Sequence, residues 1–214
     1  MEIFFQKTSA LQTSVGVLGS LYVLANNLTR YVLTIFSIVC AMLEAFVVQD
    51  MFLIWMKKNA SQFSTYAITT YPVGVQAVAI FANIGAGYYI DMTDTRLPMG
   101  FLAVFLQLIT SIILVIPNIP TGATFFAYYN SGTSYIVNPL SYGWASVILR
   151  RDGDDVSRAV VLYTMNLGSQ ILYTFWGIVL YPASDAPYWR NGAIAMIVAC
   201  FAYCACLLWV RNVS

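Results

Sequence analysis

"SIVCAMLEAFVVQDMFLIW", residues 37–55, is apolar at almost every position, yet it holds Glu44 and Asp50. Such a run is either the core helix of a soluble domain or a membrane crossing. The rest of the chain decides between them. Of its 214 residues 60% are hydrophobic and 9% are charged, and the mean hydropathy is +0.74. Soluble domains carry about 25% charged residues, so this chain cannot clothe a water-facing surface. The composition is that of a polytopic, all-α membrane protein whose first partner is the lipid bilayer.

A helix needs about 20 apolar residues to cross about 30 Å of hydrocarbon. Six runs meet that requirement: 31–56, 68–90, 98–117, 121–149, 159–182 and 192–210. They are separated by Lys57-Lys58, by Asp91 to Arg96, by Pro117 to Gly122, by Arg150 to Arg158, and by Pro182 to Gly192. These connectors are short, so neighbouring helices run antiparallel, and residues 31–211 form one six-span transmembrane domain. Residues 1–30 stand apart as an N-terminal segment. Leu11, Val15, Leu18, Tyr22 and Ala25 share a helical face there, so 11–28 reads as an amphipathic helix in the interface or as a seventh crossing. The opening MEIFFQK lacks the positive region of a cleaved signal.

Lys and Arg in short loops set orientation. Lys7, Arg30, Arg96, Arg150, Arg151, Arg158 and Arg211 fall on one side, against Lys57, Lys58 and Arg190 on the other. Both termini are therefore expected in the cytosol, in a multi-pass protein of the plasma membrane or endoplasmic reticulum. Asn59-Ala60-Ser61 then lies outside and matches a glycosylation acceptor close to the membrane.

Several functions are disfavoured. A net charge of +1 offers no nucleic-acid surface. Histidine is absent, which removes the commonest metal ligand and general base. Cys40, Cys200, Cys204 and Cys206 lie in apolar runs and read as small hydrophobes, so neither a metal site nor a cofactor is expected. An intramembrane enzyme finds no G-x-S-x-G elbow to work with.

Two loop signatures go further. Gly87-Tyr-Tyr-Ile-Asp91-Met-Thr-Asp94-Thr-Arg96 resembles the G-x-x-x-D-x-x-G-x-R-R loop of the major facilitator superfamily, with Asp94 in place of the second glycine. By that resemblance Gly87 allows close helix contact and Asp91 pairs with Arg96 or caps the next helix. Trp144-Ala145, Arg150-Arg151-Asp152, Arg158-Ala159-Val160, Met165-Asn166 and then Pro182 to Gly192 are similar to the end of fungal allantoate-permease-type transporters. That branch, the anion:cation symporters, takes up organic anions and vitamins such as allantoate, nicotinate, pantothenate and biotin. Tyr71-Pro72 and Leu53 to Lys57 are similar to it as well.

The resemblance covers about residues 30 to 211 and corresponds to the second six-helix half of a twelve-span fold. In such folds the solute cavity lies between two halves and transport rocks one against the other. The implied function is transport of small organic anions or vitamins, by a half that is inactive alone. The implied partner is a second copy or a separate N-terminal half-transporter. The alternative is a non-transporting half that assembles with, or modulates, another permease.

Candidate cavity residues follow from polarity inside the runs. Glu44 lies near the centre of the first span, where a charged side chain costs about 2.5–3.5 kcal/mol. It must face the bundle interior or a cavity, as a proton-coupling acid or as a hydrogen-bonded structural one. Asp50, one and a half turns on, is within reach of the interface and of Lys57 or Lys58. Gln76, Asn83, Asn130, Ser131, Thr133, Ser134, Asn138, Asn166, Ser169 and Gln170 either line the solute path or hold helices together. The tentative cavity set is Glu44, Asn83, Asn130, Asn138, Asn166 and Gln170, and the loop motif adds Gly87, Asp91, Arg96 and Arg158. Pro139 is expected to kink the fourth span. Gly74, Gly85, Gly87, Gly132 and Gly168 mark close helix approach, and aromatics at 66, 71, 181, 188 and 189 form an interface belt.

Overall fold

The computed structural model describes residues 28–48, 50–117, 119–150, 155–182 and 189–213. Residues 11–27 of the proposed interfacial helix, Lys7, Arg151, Tyr188 and the loop around Asp185 lie outside them. Among the described residues every regular element is helical. These elements are α1 (Leu28–Val48), α2 (Met51–Lys58), α3 (Thr65–Thr70), α4 (Val73–Thr93), α5 (Leu97–Val115), α6 (Thr121–Ser131), a 3₁₀ segment (Gly132–Ile136), α7 (Val137–Arg150), α8 (Asp155–Leu180) and α9 (Arg190–Val213). The chain is an all-α membrane protein. Three stretches, Thr65–Thr93, Leu97–Val115 and Arg190–Arg211, are long and apolar enough to cross a bilayer. α8 matches them in length, but Asn166, Ser169 and Gln170 dilute its apolar run.

Three of the apolar runs are not continuous helices. The first is broken between α1 and α2 by Asp50, whose backbone is left-handed at φ 51°. Asp50 is therefore exposed at a break rather than on a helix face, and it makes no ion pair with Lys57 or Lys58. The second is interrupted at Tyr71-Pro72, where both residues keep right-handed helical dihedrals but Pro72 has no N–H to donate to the Ile68 carbonyl, and the next bonds run three residues back, from Gly74 to Tyr71 and from Val75 to Pro72. The fourth tightens into 3₁₀ geometry over Gly132–Ile136. Pro139 explains this: its ring crowds the carbonyl four residues back, at Tyr135, and it lacks the N–H that would bond there. Pro139 itself then sits in the first turn of α7, where proline is tolerated.

The helices pack in two layers. α4, the α6–3₁₀–α7 rod, α1 and α8 stand in that order across the front, each against the next, with α5 and α9 packed behind. Between the layers Phe36 stacks on Tyr203 at 5.2 Å, among the buried Leu33, Leu43, Met165, Cys200 and Leu207. A second aromatic cluster closes the Asp50 end, where Phe52 stacks on Tyr128 at 4.7 Å and meets Phe125 edge-on at 5.1 Å.

Helices come closest where side chains are small. A Cβ at Gly132 would lie 2.5 Å from the Val75 carbonyl oxygen, so α4 and the 3₁₀ segment touch backbone to backbone. Gly74 and Gly168 also meet neighbours. Gly85 and Gly87 do not: a Cβ at either would meet nothing within 4 Å, so the expected close approach is missing among the described residues.

The aromatic belt needs correction too. Tyr66 and Tyr71 are exposed, whereas Tyr181 and Trp189 are buried and staple the α8–α9 connection. The Tyr181 hydroxyl donates to the Gly192 carbonyl at 3.3 Å, and the Trp189 indole donates to the Pro182 carbonyl at 3.1 Å. A buried aromatic N–H or O–H needs a partner, and a chain reversal supplies free carbonyls.

Candidate functional site

Glu44 projects from α1 four residues before its end and is 2% exposed. The Tyr173 hydroxyl of α8 donates to its Oε2 at 2.7 Å, and Asn138 Nδ2 of α7 donates to the same oxygen at 3.3 Å. Oε1 is buried and, among the described residues, accepts no hydrogen bond. Three helices thus converge on one carboxyl, with half of its acceptor capacity unused. A buried acceptor left unmet costs about 1–3 kcal/mol, so a half-satisfied carboxyl marks a functional position better than a structural one.

The surroundings extend this polar seam over the front layer. Tyr135, Asn138 and Tyr142 follow at i, i+3 and i+7 along the α6–α7 rod, the spacing that puts side chains on one face. Tyr135 lies beside Gln76 of α4, and Tyr142 beside Asn166 and Ser169 of α8. On α4, Gln76, Asn83 and Gly87 repeat at i, i+7 and i+11; on α8, Asn166, Gln170 and Tyr173 repeat at i, i+4 and i+7. Gln76, Asn166 and Gln170 are exposed at the flanks, while Glu44 is sunk at the centre. Sequence reasoning missed Tyr135, Tyr142 and Tyr173. Their helical register with Asn138, Asn166 and Gln170 was the available signal.

The structure divides the expected set. Glu44 and Asn138 are in direct contact. Asn83 borders a neighbouring groove of about 200 Å³ with Gly87, Asp91, Arg96 and Pro139, and its Oδ1 is buried without a partner among the described residues. Asn130 belongs elsewhere, because its Nδ2 donates to the Leu106 carbonyl at 2.7 Å and to Thr110 Oγ1 at 2.9 Å on α5. It joins Gln107, whose Nε2 donates to the Ser131 carbonyl at 2.9 Å, in fastening the end of α6 to the back layer. Ser169 is likewise a fastener, donating to the Ser37 carbonyl at 3.2 Å while Ser37 donates to the Met165 carbonyl at 3.1 Å.

The loop motif is also rearranged. Arg96 makes no ion pair with Asp91, and Asp91 caps no helix; Asp94, in left-handed geometry at φ 50°, ends α4 instead. A left-handed residue in place of the usual second glycine fits this role, since Asp tolerates that region better than most residues. Arg158 pairs within its own helix with Asp155 at 3.5 Å.

Among the described residues the polar seam holds an acid, amides and phenols but no Lys or Arg. Such a surface can bind a proton or a cation at the carboxyl and hydrogen-bond a solute. It lacks a counter-charge for an organic anion.

Two fungal proteins are similar to the chain. Pantothenate transporter liz1 of Schizosaccharomyces pombe is 33% identical over 146 residues, covering 67% of this chain and 28% of that protein. Pantothenate transporter FEN2 of Saccharomyces cerevisiae is 24% identical over 149 residues, covering 68% of this chain and 28% of that protein. The match thus spans little more than a quarter of the length of either relative. No protein-family model and no solved structure matches the chain. This helical membrane chain is therefore a relative, over two thirds of its own length, of two fungal pantothenate transporters.

Proposed function

We propose that the chain is one six-helix half of a membrane transporter for small organic anions of the vitamin class, with pantothenate as the first substrate to test. The observation that carries this reading is Glu44, buried in the last turns of α1 in an apolar bundle, held through one oxygen by Tyr173 and Asn138 and, among the described residues, unsatisfied at the other. In lipid such a group is retained where it serves a solute or proton path. Glu44 is the proton-coupling acid in this reading, and Asn83, Asn138, Asn166 and Gln170 line the path beside it. The fungal relatives support the substrate class, and the motifs at Gly87–Arg96 and Trp144–Gly192 support the allantoate-permease-type branch.

The front face needs a second six-helix unit to become a closed cavity, supplied by the same polypeptide, by a second copy or by a separate N-terminal half. That unit also supplies the cation that an anionic solute requires. Gly87, with open space where a Cβ would be, lies on the α4 face with Gln76 and Asn83 and gives an incoming helix room to approach. Both chain termini face the cytosol in this arrangement.

The test is uptake of radiolabelled pantothenate by fungal cells that lack their own pantothenate transporter. The chain is expressed alone and together with the part of the Schizosaccharomyces pombe relative outside the matched region. Uptake is expected only in the combination, and Glu44→Gln abolishes it. Saturable uptake by the chain alone would overturn the half-transporter reading. A stable complex that takes up nothing would make the chain an assembly partner instead.

A further inference from the structure

On the other side of Arg96 from the Asn83 groove, a larger one of about 530 Å³ opens at the end of the bundle. Its walls come from three places far apart in sequence: the α4–α5 turn and the start of α5, the middle of α7, and the end of α9. Arg96, from the α4–α5 turn, and Arg211, from the end of α9, both line it, with Thr95 adding a hydroxyl and Trp144, Pro98 and Val147 adding apolar surface. Asp94 stands on the rim as one opposing charge. Among the described residues Arg96 makes no ion pair and the Trp144 indole N–H is in no hydrogen bond, while Arg211 already has an interaction of its own and would add its remaining guanidinium donors. The first turn of α5 also begins here, where the N–H groups of Leu97 and Met99 have no preceding helical carbonyl to meet.

Depth fixes what such a groove meets. α5 and α9 are both long and apolar enough to cross a bilayer, and the groove sits where one begins and the other ends. That is headgroup level, where tryptophan is enriched and arginine meets lipid phosphate. Guanidinium groups bind phosphate oxygens in pairs of parallel hydrogen bonds, and the apolar wall suits the glycerol and upper acyl carbons.

We infer that the groove between Arg96 and Arg211 is a binding site for a phosphate monoester or diester, supplied by the headgroup of an anionic phospholipid. The two arginines bracket the phosphate, and the Trp144–Pro98–Val147 side packs on the lipid body. This site lies apart from the Glu44 seam and does not depend on transport.

The full chain, purified in a neutral detergent, is titrated with short-chain phosphatidic acid, with phosphatidylcholine of the same acyl length, and with inorganic phosphate. Thermal unfolding and lipid retention in native mass spectrometry are the readouts. Phosphatidic acid is expected to raise the unfolding temperature and to be retained one per chain, while phosphatidylcholine does neither. Losing one guanidinium near an anionic headgroup weakens binding about fivefold, so R96Q with R211Q weakens it about thirtyfold. Arg150→Gln, exposed at the same end of the bundle, leaves binding unchanged, and Arg96→Lys with Arg211→Lys retains most of it. Unfolding without lipid checks that each variant is folded. Inorganic phosphate that matches phosphatidic acid in stabilisation would make a soluble phosphate the ligand of the same site. Equal binding of the two lipids, or phosphatidic acid binding indifferent to R96Q with R211Q, overturns the proposal.

Discussion

Tyr173 donates its hydroxyl to Glu44 Oε2 at 2.7 Å, joining α8 to α1 across 129 residues of sequence. This bond is short, and Asn138 at 3.3 Å is the other donor to that oxygen. The carboxyl therefore depends on Tyr173 for its position as well as for its satisfaction.

Removing that hydroxyl leaves a buried acid with one long bond. Tyr173→Phe is expected to destabilise the purified protein by about 1–3 kcal/mol in a detergent unfolding titration. Combined with Glu44→Gln, the two changes should couple by about 0.5 kcal/mol or more, because neighbours in one network do not add. Strict additivity would mean that the contact carries no energy.

Ser37 and Ser169 make a reciprocal pair between α1 and α8, each hydroxyl reaching a carbonyl of the opposite helix. Hydrogen bonds between membrane helices average about 0.6 kcal/mol and reach about 1.7 kcal/mol. The double substitution Ser37→Ala with Ser169→Ala is expected to lower stability by about 1–3 kcal/mol on that scale, without altering helix content by circular dichroism. A loss of helix content would show that these serines do more than fasten two formed helices.

The all-helical fold was legible because apolar length is a property of the chain alone. Backbone breaks were not. Hydropathy cannot register that Asp50 takes a left-handed conformation, or that Pro139 tightens the turn before it into 3₁₀ geometry. Glu44 stood out because an acid at mid-run is costly wherever it points. Its partner Tyr173 did not, since a tyrosine in a membrane helix is equally at home in a core, a belt or a cavity. Asn130 and Asn138 show the same limit. Both are amides on one rod, yet the first fastens the back layer and the second reaches Glu44, and only packing separates them.

The turn between α8 and α9 rests on a ring filling the space over a glycine. A Cβ at Gly192 would collide with the ring of Tyr181, whose hydroxyl is bonded to the Gly192 carbonyl. Gly192→Ala must push that ring aside and is expected to cost about 1–3 kcal/mol, the usual penalty for overpacking. Tyr181→Phe keeps the ring and loses the hydroxyl's bond to the Gly192 carbonyl, for about 0.5–1.5 kcal/mol. Limited proteolysis in the 183–188 connection is the check, with Gly192→Ala cut faster than Tyr181→Phe.

Gly132 and Gly87 separate contacts inside the chain from contacts with something outside it. At Gly132 a new methyl group meets the Val75 carbonyl, so α4 must move off the 3₁₀ segment. Gly132→Ala is expected to destabilise the chain by about 1–3 kcal/mol. Gly87 lies in mid-helix with open space around it, and alanine there improves helix propensity by up to about 1 kcal/mol. Gly87→Ala should therefore leave the isolated chain as stable as before, or more so. If a second six-helix unit seats on the α4 face, the same methyl group should weaken assembly, read as a loss of co-purification. Destabilisation of the isolated chain by Gly87→Ala would contradict the open space found there, and unchanged co-purification would move the interface off this face of α4.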